Sequence, residues 1–211
     1  MGNEISQKEI DAIKDLVCAE VDARSSMLIE ASHAIHENPE LNFEEHFAHE
    51  LLTGILEDEG LSPERNAYDL DTAFEASVGS AGPTIAVLCE YDALPDIGHA
   101  CGHNIIATAG LGAGLAAATV AEQMGGSLRI LGTPAEEGGG GKVFMGDRGA
   151  FESVDAALMV HPASGDLVRM NTIAIHRLQV EYEGQAAHAA ASPHRGRNAL
   201  DAAVLGYQNV A

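Results

Sequence analysis

Ile10, Ile13, Val17, Val21 and Leu28 recur at spacings of three, four, four and seven, which places them on one face of an amphipathic helix running to about His36. Pro39 stops it. Asn42 and Glu45 stand like the two members of a capping box, and Phe47, Leu51, Leu52, Ile55 and Leu56 then draw a second helical stripe ending near Gly60. The runs TAFEASV (72–78) and TIAVLCE (84–90) read as strands, the second nearly all apolar and so buried on both faces, as in a parallel sheet. Residues 105–121, IIATAGLGAGLAAATVA, carry no charge, but they fall short of a membrane span and are rich in Ala and Gly, so they predict a buried helix. Within it Gly110, Gly112 and Gly114 admit a close neighbour, at a propensity cost of about 1 kcal/mol each.

The strand SLRILGT (127–133), a Gly-rich loop with a short helix to about Gly149, and the strand DAALMVH (155–161) complete an alternation of strands and helices. That alternation predicts an α/β layer, a mostly parallel sheet flanked by helices. After Pro162 the texture changes: TIAIHRLQVEYEG (172–184) alternates as a long antiparallel strand with one solvated face, and NALDAAVLGYQNVA (198–211) reads as a helix. The expected organisation is therefore a first domain over 1–171 and the start of a smaller α+β domain over 172–211.

Composition narrows the function classes. A chain that is 46% hydrophobic and 20% charged has enough apolar surface to fold. Its 11 Lys and Arg against 32 Asp and Glu give a net charge of −21, which repels phosphate backbones and anionic lipid and attracts cations. Nucleic acid and membrane are thus excluded as partners. The three cysteines are an odd number in a chain too large to need staples, and the acidic N-terminal stretch does not read as a signal peptide. Both features predict a cytoplasmic protein.

Loops after the carboxyl ends of strands carry the site in open α/β sheets. Asp92 follows the 84–90 strand, Glu136 and Glu137 follow 127–133, His161 closes 155–161, and Cys101 and His103 immediately precede the Gly/Ala helix. Thiolate, imidazole and carboxylate in one place are a donor set for zinc or another borderline divalent ion. The adjacent glutamates, held on a bend by Pro134 and the following glycines, point in different directions. One can therefore bind metal while the other reaches a metal-bound water. A different chemistry, Cys101 as nucleophile with His103 as base, is also open to these residues, although the sequence offers no obvious third group to orient the imidazole.

The strings HENPELNFEEHFA, EYDALPDIGHACGHN, GTPAEEGGGGK, RGAFESVDAALMVHP and GQAAHAAASPHRGRNALDA cover most of residues 33–211. In this order they resemble the metal-dependent amidohydrolases and metallopeptidases of the aminoacylase and carboxypeptidase G type. Within that group they lie nearest the branch of p-aminobenzoyl-glutamate hydrolase, hippurate hydrolase, auxin-conjugate hydrolases and dipeptidases. The resemblance implies a zinc-peptidase-like catalytic domain followed by a smaller dimerisation or lid domain, and two divalent ions, Zn or Mn. It makes Cys101 the bridging metal ligand, His103, Glu137 and His161 further ligands, Glu136 the general acid/base and Asp92 the group that orients the site. His188 would stabilise the carbonyl oxyanion or hold the substrate, in this family often across a homodimer.

The implied reaction is hydrolysis of an amide bond in a small N-acyl or N-aroyl amino acid or dipeptide. Members of the family run to about twice this length, so the chain reads as the N-terminal half of such an enzyme. A last histidine ligand is then missing, and the chain alone is expected to be weakly active or inactive. The contrasting expectation is a non-catalytic remnant that keeps a partial metal site and serves as an interaction or oligomerisation module.

Overall fold

The computed structural model describes residues 6–168, 174 and 178–210. These form two compact units, Met1–Ser164 and Gly165–Ala211. In the first, helices α1 (Gln7–Ala23), α2 (Ser25–Glu37) and α3 (His46–Asp58) precede strands β1 (Glu64–Arg65), β2 (Phe74–Val78) and β3 (Thr84–Cys89). Helix α4 (His103–Ala118), β4 (Ser127–Gly132), α5 (Gly141–Asp147) and β5 (Ala156–Leu158) follow. The sheet order is β1-β2-β4-β3-β5. β3 pairs in parallel with β4 and β5, while β2 runs antiparallel to both β1 and β4. Four of the five strands therefore point the same way, and the expected mostly parallel α/β sheet is what forms.

Apolar side chains cover both faces of β3, as its unbroken hydrophobic run requires. On one side Cys89 and Val87 pack with Leu52, Leu56, Leu111 and Ile130 beneath α2, α3 and α4, and on the other Ala86 and Leu88 pack with Leu131, Met145 and Phe151. The Ala/Gly run becomes α4, which packs against β3, β4 and α2. Its glycines explain that fit. A Cβ at Gly110 would stand 2.5 Å from the Leu88 carbonyl oxygen and 2.8 Å from Cys89 Sγ, so the helix rides directly on the backbone of β3.

Three local expectations are corrected. The long N-terminal helix is broken in two at Arg24 (φ −99°, ψ 2°), whose amide bonds to the Val21 carbonyl while its guanidinium takes the Glu20 carbonyl and reaches the Glu20 and Glu59 carboxylates. The apolar period survives because the break skips only one residue. Asn42 and Glu45 form no capping box: Glu45 makes no side-chain cap bond, and the exposed amides of α3 are met by Glu40, whose carboxylate accepts from Phe47 N (2.8 Å) and Ala48 N (3.0 Å). Glu45 turns into the core instead. In the second unit, 178–184 carries no strand; 172, 173 and 175–177 of that expected strand lie outside the described residues. What this unit does contain is a bridge between Gln185 and Arg197 and the helix α6 (Ala199–Val210).

Among the described residues no helix is long and apolar enough to cross a membrane.

Candidate metal centre

Because β3, β4 and β5 are parallel, their carboxyl ends open at one edge, and the register Cys89↔Gly132 puts the two following loops side by side. From β3 the chain continues through Glu90, Tyr91 and Asp92; from β4, through Thr133 and Pro134 to Glu136 and Glu137; from β5, to His161. Helix α4 contributes its first residue, His103, behind Gly102, whose φ of 79° favours glycine. A Cβ on Gly102 would also stand 3.0 Å from Pro162 Cγ, so the exit of β5 packs on the start of α4.

His103 is the hub. Its Nδ1 donates to Asp92 Oδ1 (3.0 Å), and Asp92 Oδ2 accepts from the Glu137 amide (2.8 Å), so one buried carboxylate orients both groups. In the neutral imidazole the other ring nitrogen then presents a lone pair. His103 Nε2 lies 3.6 Å from Glu90 Oε2, 3.7 Å from Glu137 Oε1 and 3.9 Å from Glu136 Oε2. Both His103 Nε2 and Glu90 Oε2 are buried without a hydrogen-bond partner. Lone pairs facing each other out of water repel unless a cation stands between them. Metal–ligand lengths near 2.0–2.2 Å put two donors on one tetrahedral ion about 3.3–3.6 Å apart, close to these separations.

Ligand atoms of Cys101, His103 and Glu137 lie within 4.8 Å of one another, as do those of Glu90, His103 and His161. His161 Nδ1 donates to the Pro162 carbonyl (2.8 Å), which leaves its Nε2 as acceptor, the tautomer of a ligating imidazole. The donor set therefore fits divalent metal.

The chain is similar to known proteins. The family described as Peptidase family M20/M25/M40 matches residues 86–209. The chain belongs to this family. It is 42% identical over 219 residues to the Xaa-Arg dipeptidase of Mus musculus, covering 97% of this chain and 51% of that protein. To a p-aminobenzoyl-glutamate hydrolase of Escherichia coli it is 40% identical over 205 residues, covering 88% and 43%. Among solved structures it is similar to the Bacillus subtilis YXEP protein, described as a dinuclear metal-binding peptidase of the M20 family. The TM-score is 0.58 with 26% identity over 64% of this chain and 42% of that one. The chain thus spans about half the length of the curated relatives it matches.

Electrostatics in this M20 chain favour metal over thiol chemistry. Burial alone would raise the Asp92 carboxyl, but the hydrogen bonds from His103 and the 136–137 backbone outweigh it and hold it below its ordinary value. Burial likewise works against a charged His103, and the Asp92 bond with the surrounding carboxylates overcomes it, so its pKa rises. A hydrogen bond with Glu137, then burial and the neighbouring acids, push the Cys101 thiol up to about 11. An activated nucleophile needs the reverse. Asp92 does orient the His103 imidazole, the third group that the sequence did not reveal. The acids around Cys101 nonetheless keep the thiol protonated until a cation offsets them. Burial and the charge of Glu90 also raise Glu136, the direction that suits a proton acceptor near neutrality.

Of the seven candidate residues, six converge in the first unit: Asp92, Cys101, His103, Glu136, Glu137 and His161. His188 belongs to the second unit, where its Nδ1 accepts from the amides of Ala190 (3.2 Å) and Ala191 (3.1 Å), leaving Nε2 as a hydrogen-bond donor. Glu90 is the member that sequence reasoning passed over. It reads as the last residue of an apolar strand, and the available signal was an acid inside that run, which a fold must either pair or use.

Lys142 pairs with Glu90 Oε1 and is the one cation bonded to it among the described residues. Lys142→Met is expected to destabilise the metal-free protein by about 1–3 kcal/mol, discounted because the lysine is partly exposed. Added Zn²⁺ should restore most of the loss by taking over the charge. Urea unfolding with and without metal reads both effects.

Proposed function

We propose that this chain carries the metal-binding part of a metal-dependent hydrolase acting on the amide bond of a small N-acyl or N-aroyl amino acid or dipeptide. The observation that carries this reading is the buried, unpartnered His103 Nε2 ringed by Glu90, Glu136, Glu137 and Cys101. Xaa-Arg dipeptidase and p-aminobenzoyl-glutamate hydrolase among the relatives support the substrate class. The similar peptidase, described as dinuclear and metal-binding, supports two divalent ions, for which we propose zinc or manganese.

Cys101, His103, Glu137 and His161 would hold the metal, with Glu90 beside them. A bound divalent pair supplies a water of lowered pKa and polarises the scissile carbonyl. Asp92 fixes the His103 tautomer and, through the Glu137 amide, the direction of the carboxylate loop. Glu136, half-exposed and raised in pKa, accepts the proton of the attacking water and returns it to the leaving amine. For His188 the family resemblance implies a role in stabilising the carbonyl oxyanion or holding the substrate.

We assign this chemistry to a catalytic domain over 1–171. Residues 172–211 begin a smaller dimerisation or lid domain of a cytoplasmic homodimer, and the free cysteines Cys18, Cys89 and Cys101 agree with a reducing compartment. The family resemblance implies one further ligand beyond Cys101, His103, Glu137 and His161, and we expect weak turnover by the chain alone.

The test is hydrolysis of a panel of acyl amino acids and dipeptides, including p-aminobenzoyl-glutamate and Xaa-Arg peptides, by the metal-loaded chain. Chelation should abolish turnover. Glu136→Gln should lower it about a hundredfold or more with metal content unchanged. Metal binding without any turnover would favour an interaction module. Turnover that resists chelation but not thiol alkylation would assign the reaction to Cys101.

A further inference from the structure

The carboxyl group of Glu45 has no exposed surface, and no ion pair reaches it among the described residues. Burying a charge without a counter-ion is costly, and hydrogen bonds must meet it. Two do so. Oε2 accepts from the Thr72 hydroxyl (2.8 Å) and Oε1 accepts from the Ala135 amide (2.8 Å), 90 residues away in sequence. Glu45 therefore takes no part in capping its own helix and spends its acceptors on two distant loops.

Both bonds lead to the candidate metal centre. Ala135 is the residue before Glu136, is fully buried, and has φ of 56°, the left-handed region that L-residues avoid. Its carbonyl accepts from the amides of Gly139 and Gly141 (3.2 Å each), so the residue is held on both sides. The reversal at Ala135 sends Glu137 toward Asp92 and His103, while Glu136 stays more open to solvent. The second bond runs the other way. Thr72 offers its carbonyl to the Tyr91 hydroxyl, and Tyr91 lies between Glu90 and Asp92, stacked on Phe74 with ring centroids 6.1 Å apart. Packing adds to the contact: a Cβ on Gly139 would stand 2.4 Å from Phe43, two residues before Glu45.

We propose that Glu45 is a positioning residue, whose buried carboxylate holds Ala135 in its strained turn and so sets Glu136 and Glu137 against the metal-ligating cluster. The consequence for metal rests on the function proposed above; the clamp on Ala135 does not. Burial raises the Glu45 pKa, so a neutral amide of the same shape is no harder to accommodate. In Glu45→Gln the side-chain oxygen still accepts from Ala135, and the amide NH₂ donates to a Thr72 hydroxyl that has turned to accept.

Four variants of the full chain separate positioning from bulk stability: Glu45→Gln, Glu45→Ala, Thr72→Val and the double variant Glu45→Ala/Ala135→Gly. The readouts are hydrogen exchange at the Ala135 amide, Zn²⁺ affinity by competition with a chromophoric chelator, and Tm. Glu45→Gln should stay within about threefold of the parent in exchange and affinity. Glu45→Ala should exchange Ala135 roughly a hundredfold faster and bind Zn²⁺ about 10- to 100-fold more weakly, as for loss of an outer-shell partner. Thr72→Val should lower Tm but leave Zn²⁺ affinity within about threefold.

Glycine at 135 adopts the turn without help, so the double variant should recover part of the lost affinity. If Glu45→Ala does not fold, Glu45→Gln against Thr72→Val decides: a Gln variant that loses Ala135 protection overturns the proposal. So does unchanged affinity in Glu45→Ala, or affinity that tracks Tm across all four. Absence of Zn²⁺ binding by the parent chain defeats the metal reading alone, and exchange at Ala135 still tests the clamp.

Discussion

His103→Ala is expected to weaken binding of Zn²⁺ or Co²⁺ at the proposed centre roughly a thousandfold or more. His103 is the one side chain common to both ligand groups, and its Nε2 faces Glu90, Glu136 and Glu137 within 3.9 Å. Removing it costs one metal bond outright and leaves Asp92 Oδ1 buried without a donor. Asp92→Asn is the calibrating variant. It keeps the shape and the imidazole but weakens the bond that fixes the tautomer, which in metal sites costs about 10- to 100-fold. Titration of the metal-free variants followed by Co²⁺ absorption measures both, with the Cys101 thiolate contributing its own charge-transfer band. Equal losses in the two variants, or metal retained by His103→Ala, would sink the assignment of His103 as the shared ligand.

Gly110→Ala is expected to destabilise the fold by about 3 kcal/mol or more, which is a fall in Tm of roughly 6–12 °C for a domain of this size. Alanine is the better helix former by about 1 kcal/mol, so propensity alone predicts the opposite sign. Contact decides. The new methyl would meet the Leu88 carbonyl oxygen at 2.5 Å and Cys89 Sγ at 2.8 Å, and β3 is a central strand that cannot withdraw. Gly112→Ala provides the contrast within the same helix, because its methyl meets Leu28 Cδ1 at 2.7 Å, the far end of a flexible side chain. That variant should stay within about 1 kcal/mol of the parent. Thermal unfolding of the pair tests the claim, and comparable stability would show that α4 does not ride on β3 as described. Because α4 carries His103 and β3 leads to Glu90 and Asp92, any sliding between them would also loosen the metal centre.

Elements whose signal is a local period were legible in the chain. The apolar run of β3 requires cover on both faces, and the charge-free Ala/Gly stretch forms a buried helix. The order of strands and helices placed Asp92, Cys101, His103, Glu136, Glu137 and His161 at one edge. Errors arose where a side chain had a choice of partner. The period of α1 and α2 runs unbroken through Arg24, yet its guanidinium reaches Glu59, 35 residues on. Glu45 sits at capping distance from Asn42, yet Glu40 takes the helix amides and Glu45 goes to Thr72 and Ala135.

By itself, then, the sequence determined the layer architecture and the set of metal-binding chemistries, because hydrophobic periodicity and donor type are properties of neighbouring residues. Only the tertiary structure decided which donors face each other. Glu90 became part of the centre because β3 lies in register with β4 and Lys142 holds its other oxygen. Asp92 orients His103 because α4 begins beside the end of β3. A buried polar atom's partner is whatever the fold brings within about 3 Å, and no spacing along the chain encodes that distance.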